Sequence, residues 1–200
     1  MGNKAEKTRQ RIIEAAFKSF AVNSYNHVSL KRIEEQTGLS RGALLYHFPT
    51  KEKMFVAVVD KFVVDALSVT SIKEDEIHSF GDFIEAYLIQ LAQLQGQFQA
   101  LEIPNMAFGL VNLNMESFHY YKDFNKIALR WSETEDKAWL NQLVQAVKRN
   151  EIRPDPEQEK IARSFKNLFY GTAYESMNRY TDDFLGMLKW QYYSLYDSLK

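Results

Sequence analysis

The densest run of chemistry-bearing residues is Ser40-Arg41-Gly42-Ala43-Leu44-Leu45-Tyr46-His47-Phe48-Pro49-Thr50-Lys51. Ser40 offers a hydroxyl, and a helix starting behind it offers free N–H groups to a phosphate. Arg41 can pair with phosphate or, through two parallel hydrogen bonds, with a guanine edge. Tyr46 and His47 carry polar tips on aromatic bodies, a combination suited to anchoring phosphate. Lys51 falls in the first turn of the next helix, where a cation is disfavoured by a few tenths of a kcal/mol unless an anion compensates it. A nucleic-acid phosphate would be such an anion. Gly42 costs about 1 kcal/mol relative to Ala inside a short helix. Either the missing side chain admits DNA to the backbone, or it admits the preceding helix. Phe48 is expected in the core.

Short helices must position these groups. Apolar residues Ile12, Ile13, Ala16, Phe17 and Phe20 recur at three-to-four spacing and predict an amphipathic helix over about Lys4–Val22. Asn23 and Ser24 follow as a turn, Asn23 being able to adopt the left-handed conformation that ends helices. Ser29 can cap a second helix, Leu30–Gln36, and Gly38 supplies the positive φ of a tight turn. Ser40 caps a third helix from Arg41 to about His47, which Pro49 ends. Two short helices joined by a glycine-containing turn make a helix-turn-helix. Thr50 caps a fourth helix to about residue 70, with Phe55, Val58, Val59, Phe62, Val63 and Ala66 on its buried side.

The remainder stays helical. Ser79 with Asp82 resembles a capping box for a helix through about Gln95. Pro104 and the segment Gly109–Asn114 are expected to interrupt the pattern around a shorter helix. A long amphipathic run follows over about Met115–Arg149, closed by Asn150, and Arg153-Pro154-Asp155-Pro156 forms a rigid break. Two last helices are expected over about Glu157–Tyr180 and Asp182–Ser198. The fold class is all-α, with about nine helices.

Composition narrows the function. The chain of 200 residues has no cysteine, which excludes disulfides, thiolate metal sites and a cysteine nucleophile and fits a reducing, cytoplasmic setting. No apolar run approaches a membrane span and no secretory signal is expected. The net charge of −1 divides unevenly: residues through Lys61 carry +5 and the rest −6. That split suggests an anion-binding head on an acidic body, though modest scatter would give the same. Enzymatic signatures such as His-Glu-x-x-His, a glycine-rich phosphate loop or a nucleophile elbow are absent, so no enzyme, metal or cofactor is expected.

From Thr8 to Phe62 the pattern Ile12…Ala15-Ala16…Phe20, Ser29…Ile33, Gly38-Leu39-Ser40, Gly42, Tyr46-His47-Phe48 and Lys51-Glu52 resembles the head of a TetR-type transcriptional regulator. A weaker match, Glu151–Glu157 followed by Gly171, resembles the approach to that family's C-terminal helix pair. The resemblance implies a homodimer that binds a palindromic operator in double-stranded DNA and releases it when a small molecule occupies the body. Ser29, Arg32, Ser40, Arg41, Ala43, Leu45, Tyr46, His47 and Lys51 fall at positions that usually meet DNA, and Gly42 joins them on the argument above. Domains are expected at 1–49, the DNA-binding head, and 50–200, the effector-binding and dimerisation body. Three residues depart from the family pattern: Ser24 for glycine, Glu34 for alanine and Leu45 for a second tyrosine. They motivate an alternative, a helical small-molecule-binding or enzymatic protein whose head no longer reads an operator.

Within the body, Ile161, Phe165, Leu168, Phe169, Thr172, Ala173, Leu188 and Tyr192 supply either the chain's own core or a four-helix interface between two copies. Phe62, Phe83, Tyr87, Asn105, Phe108, His119, Tyr121, Phe124 and Trp131 are candidates to line a cavity for an apolar or aromatic effector. Aromatics at helical spacing are also ordinary core.

Overall fold

Three hydroxyl side chains start three successive helices by one device. Ser29 Oγ accepts from Arg32 N, Ser40 Oγ from Ala43 N and Thr50 Oγ1 from Lys53 N, at 3.2, 3.3 and 3.1 Å. Each satisfies a donor that the first helical turn leaves unpaired. The computed structural model in which they are seen describes residues 2–65, 69, 72–179 and 183–200. All regular structure among the described residues is helical: α1 (Gly2–Val22), α2 (Leu30–Thr37), α3 (Arg41–His47), α4 (Lys51–Val59), α5 (Phe80–Ala100), α6 (Met106–Tyr120), α7 (Phe124–Lys148), α8 (Gln158–Arg179) and α9 (Phe184–Ser198). Ala66, the expected end of the fourth helix near residue 70, Tyr180 and Asp182 lie outside the described residues. No described helix is long and apolar enough to cross a membrane.

The chain divides into two compact units, Met1–Ala66 with Gln97–Asn125, and Leu67–Gly96 with Lys126–Lys200. In the first unit α1 runs against α2, α4 and α6. The buried stripe is the one the spacing predicts, Ile12, Ile13, Ala16, Phe17 and Phe20. Phe17 stacks on Phe62 at 3.7 Å and meets Phe98 edge-on at 4.8 Å. Gly38 turns the chain from α2 toward α3 at φ 63°. Basic residues of α1 brace both ends of α3: Arg11 donates to Thr37 O beside the turn, and the Arg9 guanidinium sits 5.0 Å from the centre of the Phe48 ring, just past the last residue of α3. After Val59 the helix widens into a π turn, Asp60–Val64, closed by Asp65 N donating to Asp60 O at 2.8 Å.

Several boundaries differ from expectation, each for a local reason. Asn23 is not left-handed; its amide donates instead to Ser19 O at 2.7 Å, within the last turn of α1. Helix α5 passes through Gly96 to Ala100. Gly109–Asn114 does not break the pattern, because α6 runs straight through it. A Cβ at Gly109 would stand 2.7 Å from Phe98 Cε1, so this glycine makes room for a neighbour rather than ending a helix. The expected run from Met115 is divided at Tyr121–Asp123, where Asp123 takes φ 60°. Asn150 closes α7 at φ 57°, as its position predicts.

The second unit is an aromatic core. Trp139 of α7 is fully buried, stacks on Phe165 of α8 at 5.2 Å, and meets Phe83 and Tyr87 of α5 and Tyr192 of α9. Helices α8 and α9 pack together. Ser79 caps α5 through Asp82 N at 3.0 Å, while the Asp82 carboxylate reaches back to His78 N at the same distance.

Candidate nucleic-acid interface

Leu44 of α3 and Phe48, the extended residue that closes the helix one turn later, are buried and anchor it against the head. That phase turns Arg41, Gly42 and Tyr46 outward; all three are exposed, Tyr46 to 82%. Ala43, Leu45 and His47 are half-buried at the margins of this face, and the Tyr46 and His47 rings meet edge-on at 5.3 Å. Ser29 and Arg32 at the start of α2 are exposed, as is Ser40. The capping role of Ser29 and Ser40 uses an oxygen lone pair and leaves each hydroxyl proton free to donate.

Gly42 has open space where a side chain would stand. The nearest atom to an added Cβ, outside its own helix's backbone and chain neighbours, is Ser40 Oγ at 4.0 Å. Close packing against α2 therefore does not account for the glycine.

Two cations have partners within the chain. Arg41 Nε donates to Glu34 Oε1 of α2 at 2.8 Å. Lys51 Nζ donates to Tyr25 O at 2.9 Å and Val28 O at 3.0 Å, and lies 4.1 Å from the Tyr25 ring centroid. Partial burial lowers its pKa. The dipole argument called for an external anion at Lys51; these two carbonyls and the ring face supply the compensation from inside.

The expected effector residues fall into both units. In the first, Phe62 and Phe124 are core, and Asn105 caps α6 by accepting from Phe108 N at 2.8 Å. Phe108 and His119 are exposed, and Tyr121 donates to Asp60 at 2.8 Å. Burial, with that bond second, holds the Tyr121 pKa up at about 12. In the second, Phe83 and Tyr87 are core around Trp139, and Trp131 is half-buried. Sequence reasoning missed Glu135. It is buried to 2% exposure beside Tyr87 Oη at 3.4 Å, and burial raises its pKa to about 7, against the lowering effect of Lys166. The signal was present: Trp131, Glu135, Trp139 and Gln142 follow one helical stripe, so a carboxylate sat on the apolar side. Trp139 Nε1 and Tyr192 Oη nearby are buried with no hydrogen-bond partner among the described residues.

Of the expected interface residues, Phe165, Phe169, Thr172, Ala173, Leu188 and Tyr192 are buried within the single chain, and Ile161 and Leu168 are half-buried. The opposite side of α8 and α9 exposes Tyr174 to 64% and Trp190 to 71%. Nothing within 4 Å would meet a Cβ at Gly171.

The described residues form an all-helical chain carrying a capped helix-turn-helix with an outward polar face. Residues 12–58 match the family described as bacterial regulatory proteins, tetR family. Over 57 residues it is 46% identical to the HTH-type transcriptional repressor AcnR of Corynebacterium efficiens, a stretch covering 28% of this chain and 30% of that protein. The match thus spans less than a third of that repressor's length. Over 171 residues it is 28% identical to the HTH-type transcriptional regulator UidR of Escherichia coli K12, covering 86% of this chain and 82% of UidR. The fold is shared with the solved TetR family transcriptional regulator of Cytophaga hutchinsonii, with TM-score 0.70, 21% identity and coverage of 98% and 96% of the two chains.

Proposed function

We propose that this regulator is a repressor that binds a palindromic operator as a homodimer and is released by a small molecule. The observation that carries the reading is the open, exposed Gly42 that follows Arg41 and the Ser40 cap. It is a place where a duplex backbone or base edge reaches the α3 main chain. In this reading Ser29, Arg32, Ser40, Arg41, Gly42, Ala43, Leu45, Tyr46 and His47 meet DNA. Ser40 and Ser29 hold phosphates, Arg41 reads a base and Leu45 contacts a thymine methyl. Lys51 acts indirectly, holding the Tyr25–Val28 segment. Residues 1–49 are the reading domain and 50–200 sense and dimerise.

Dimerisation is supported by the uncovered side of α8 and α9, where Gly171 permits close helix approach and Tyr174 and Trp190 supply apolar area. The six residues already buried in the chain serve as the base of that surface rather than its contact face. For the effector, Tyr87 and Glu135, with the unpaired Trp139 N–H and Tyr192 hydroxyl, give the aromatic core of the second unit polar points that an aromatic ligand can engage. The ligand acts by preferring the state whose heads are wrongly spaced. The reaction chemistry is binding alone, in the cytoplasm, with no cofactor.

Selection from a pool of random duplexes tests the reading. Enrichment of an inverted repeat with half-sites about one helical turn apart, roughly 34 Å, is the expected result. Enrichment of no motif, with the protein folded, rejects it.

A further inference from the structure

Glu34 stands where the family pattern has alanine, and it holds the one base-reading cation of α3. Its carboxylate is 24% exposed and accepts from Arg41 Nε at 2.8 Å, while the Arg41 side chain remains 60% exposed. The pair crosses from α2 to α3 over the Gly38 turn. We propose that Glu34 is a specificity-positioning residue, one that fixes the Arg41 guanidinium so that only its two terminal nitrogens face the major groove. The inference rests on the DNA-binding reading above.

The chemistry follows from the donor count. A guanidinium has five N–H groups in a rigid fork, and the Glu34 bond takes the one on Nε. The side-on mode, which uses Nε, is thereby closed. The end-on mode remains, in which both terminal nitrogens donate to O6 and N7 of one guanine. Restraint matters because a free arginine swings equally well to a neighbouring phosphate, which carries no sequence information. Stability is not what the pair supplies: an exposed ion pair contributes about 0–1 kcal/mol or less. Electrostatics opposes it as a binding device too, because a carboxylate close to DNA repels phosphate. What remains is selection of the correct base over the wrong one.

These effects separate experimentally. Glu34→Ala, Glu34→Gln, Arg41→Lys and the double variant Glu34→Ala/Arg41→Lys are compared with the parent. Each is titrated against the duplex selected by the parent, and against copies with the selected G·C pairs replaced one at a time. Glu34→Ala is expected to bind a scrambled duplex as tightly as the parent or tighter. It is expected to lose about five- to a hundredfold of preference at one G·C pair per half-site, the worth of a bidentate contact. Glu34→Gln retains an acceptor for Nε and restores much of that preference. Arg41→Lys loses preference at the same pair, and the double variant loses no more than Arg41→Lys alone. A thermal melt of Glu34→Ala within a degree or two of the parent keeps the result from being a folding defect. Two results overturn the proposal: unchanged preference in Glu34→Ala, or loss spread evenly over all base pairs. If the parent itself selects no duplex, the DNA-binding reading fails and this inference fails with it.

Discussion

Tyr120 at the end of α6 stacks on Tyr25, the two ring centroids 3.9 Å apart and the planes within 17°. Asn26 Nδ2 donates to Tyr120 Oη at 2.7 Å, and Lys51 lies 4.1 Å from the Tyr25 ring centroid. The turn that precedes the helix-turn-helix is therefore fastened to α6 on one side and to the first turn of α4 on the other. Tyr120→Ala removes both stack and hydrogen bond and is expected to cost roughly 2 kcal/mol in urea unfolding. Tyr120→Phe keeps the stack and is expected to cost less than half of that. Equal losses would mean that the stack contributes nothing.

Gly42→Ala separates stability from recognition. No neighbour obstructs the methyl group, so the folded chain is expected to gain up to about 1 kcal/mol of helix stability. Duplex binding is expected to fall at least tenfold, because the methyl occupies the space of the approaching partner. Thermal melting and fluorescence anisotropy measure the two arms. A variant with full affinity places the duplex away from this backbone.

The same substitution at Gly109 is expected to have the opposite sign for stability. A Cβ there stands 2.7 Å from the ring of fully buried Phe98. Overpacking of this kind costs roughly 1–3 kcal/mol, more than the helix propensity gained. A melt of Gly109→Ala at or above the parent's would show that Phe98 yields freely.

Glu135 gives the second unit a pH signature. Its carboxyl is ordinarily ionised above about 4.5 and, in the folded chain, only above about 7. Between those values the folded state holds a proton that the unfolded state has lost, so stability falls as pH rises through the window. The loss approaches about 3 kcal/mol above pH 7. Glu135→Gln keeps the shape without the titration, so urea midpoints for the variant should vary less across this window. Parallel pH profiles for the two proteins would show that Glu135 is ionised throughout.

Much of the head was legible because its signals are local. Ser29, Ser40, Thr50 and Gly38 set boundaries by chemistry within four residues, and the phase of Leu44 and Phe48 follows directly. The break at Tyr121–Asp123 was not legible, since an aspartate rather than a glycine takes the left-handed turn. The role of Gly109 is hidden for a related reason: only the placement of Phe98, on the helix before, shows that it is a packing glycine. The division of α8 and α9 into inner and outer faces was also hidden, because both faces carry apolar residues. Lys51 and Arg41 were read as cations facing outward, and their partners at Tyr25, Val28 and Glu34 depend on tertiary placement. Glu135 was readable in principle from its stripe.

The most direct test of the DNA-binding account is the salt dependence of binding to the selected duplex by the parent and by Arg41→Ala. For the parent, log affinity is expected to fall linearly with log salt, with slope near −0.9 per phosphate contact. Preference over a scrambled duplex should persist at every salt concentration. For Arg41→Ala that preference should collapse. A parent that binds selected and scrambled duplexes alike, or whose affinity ignores salt, would contradict the assignment of α3 as a reading helix.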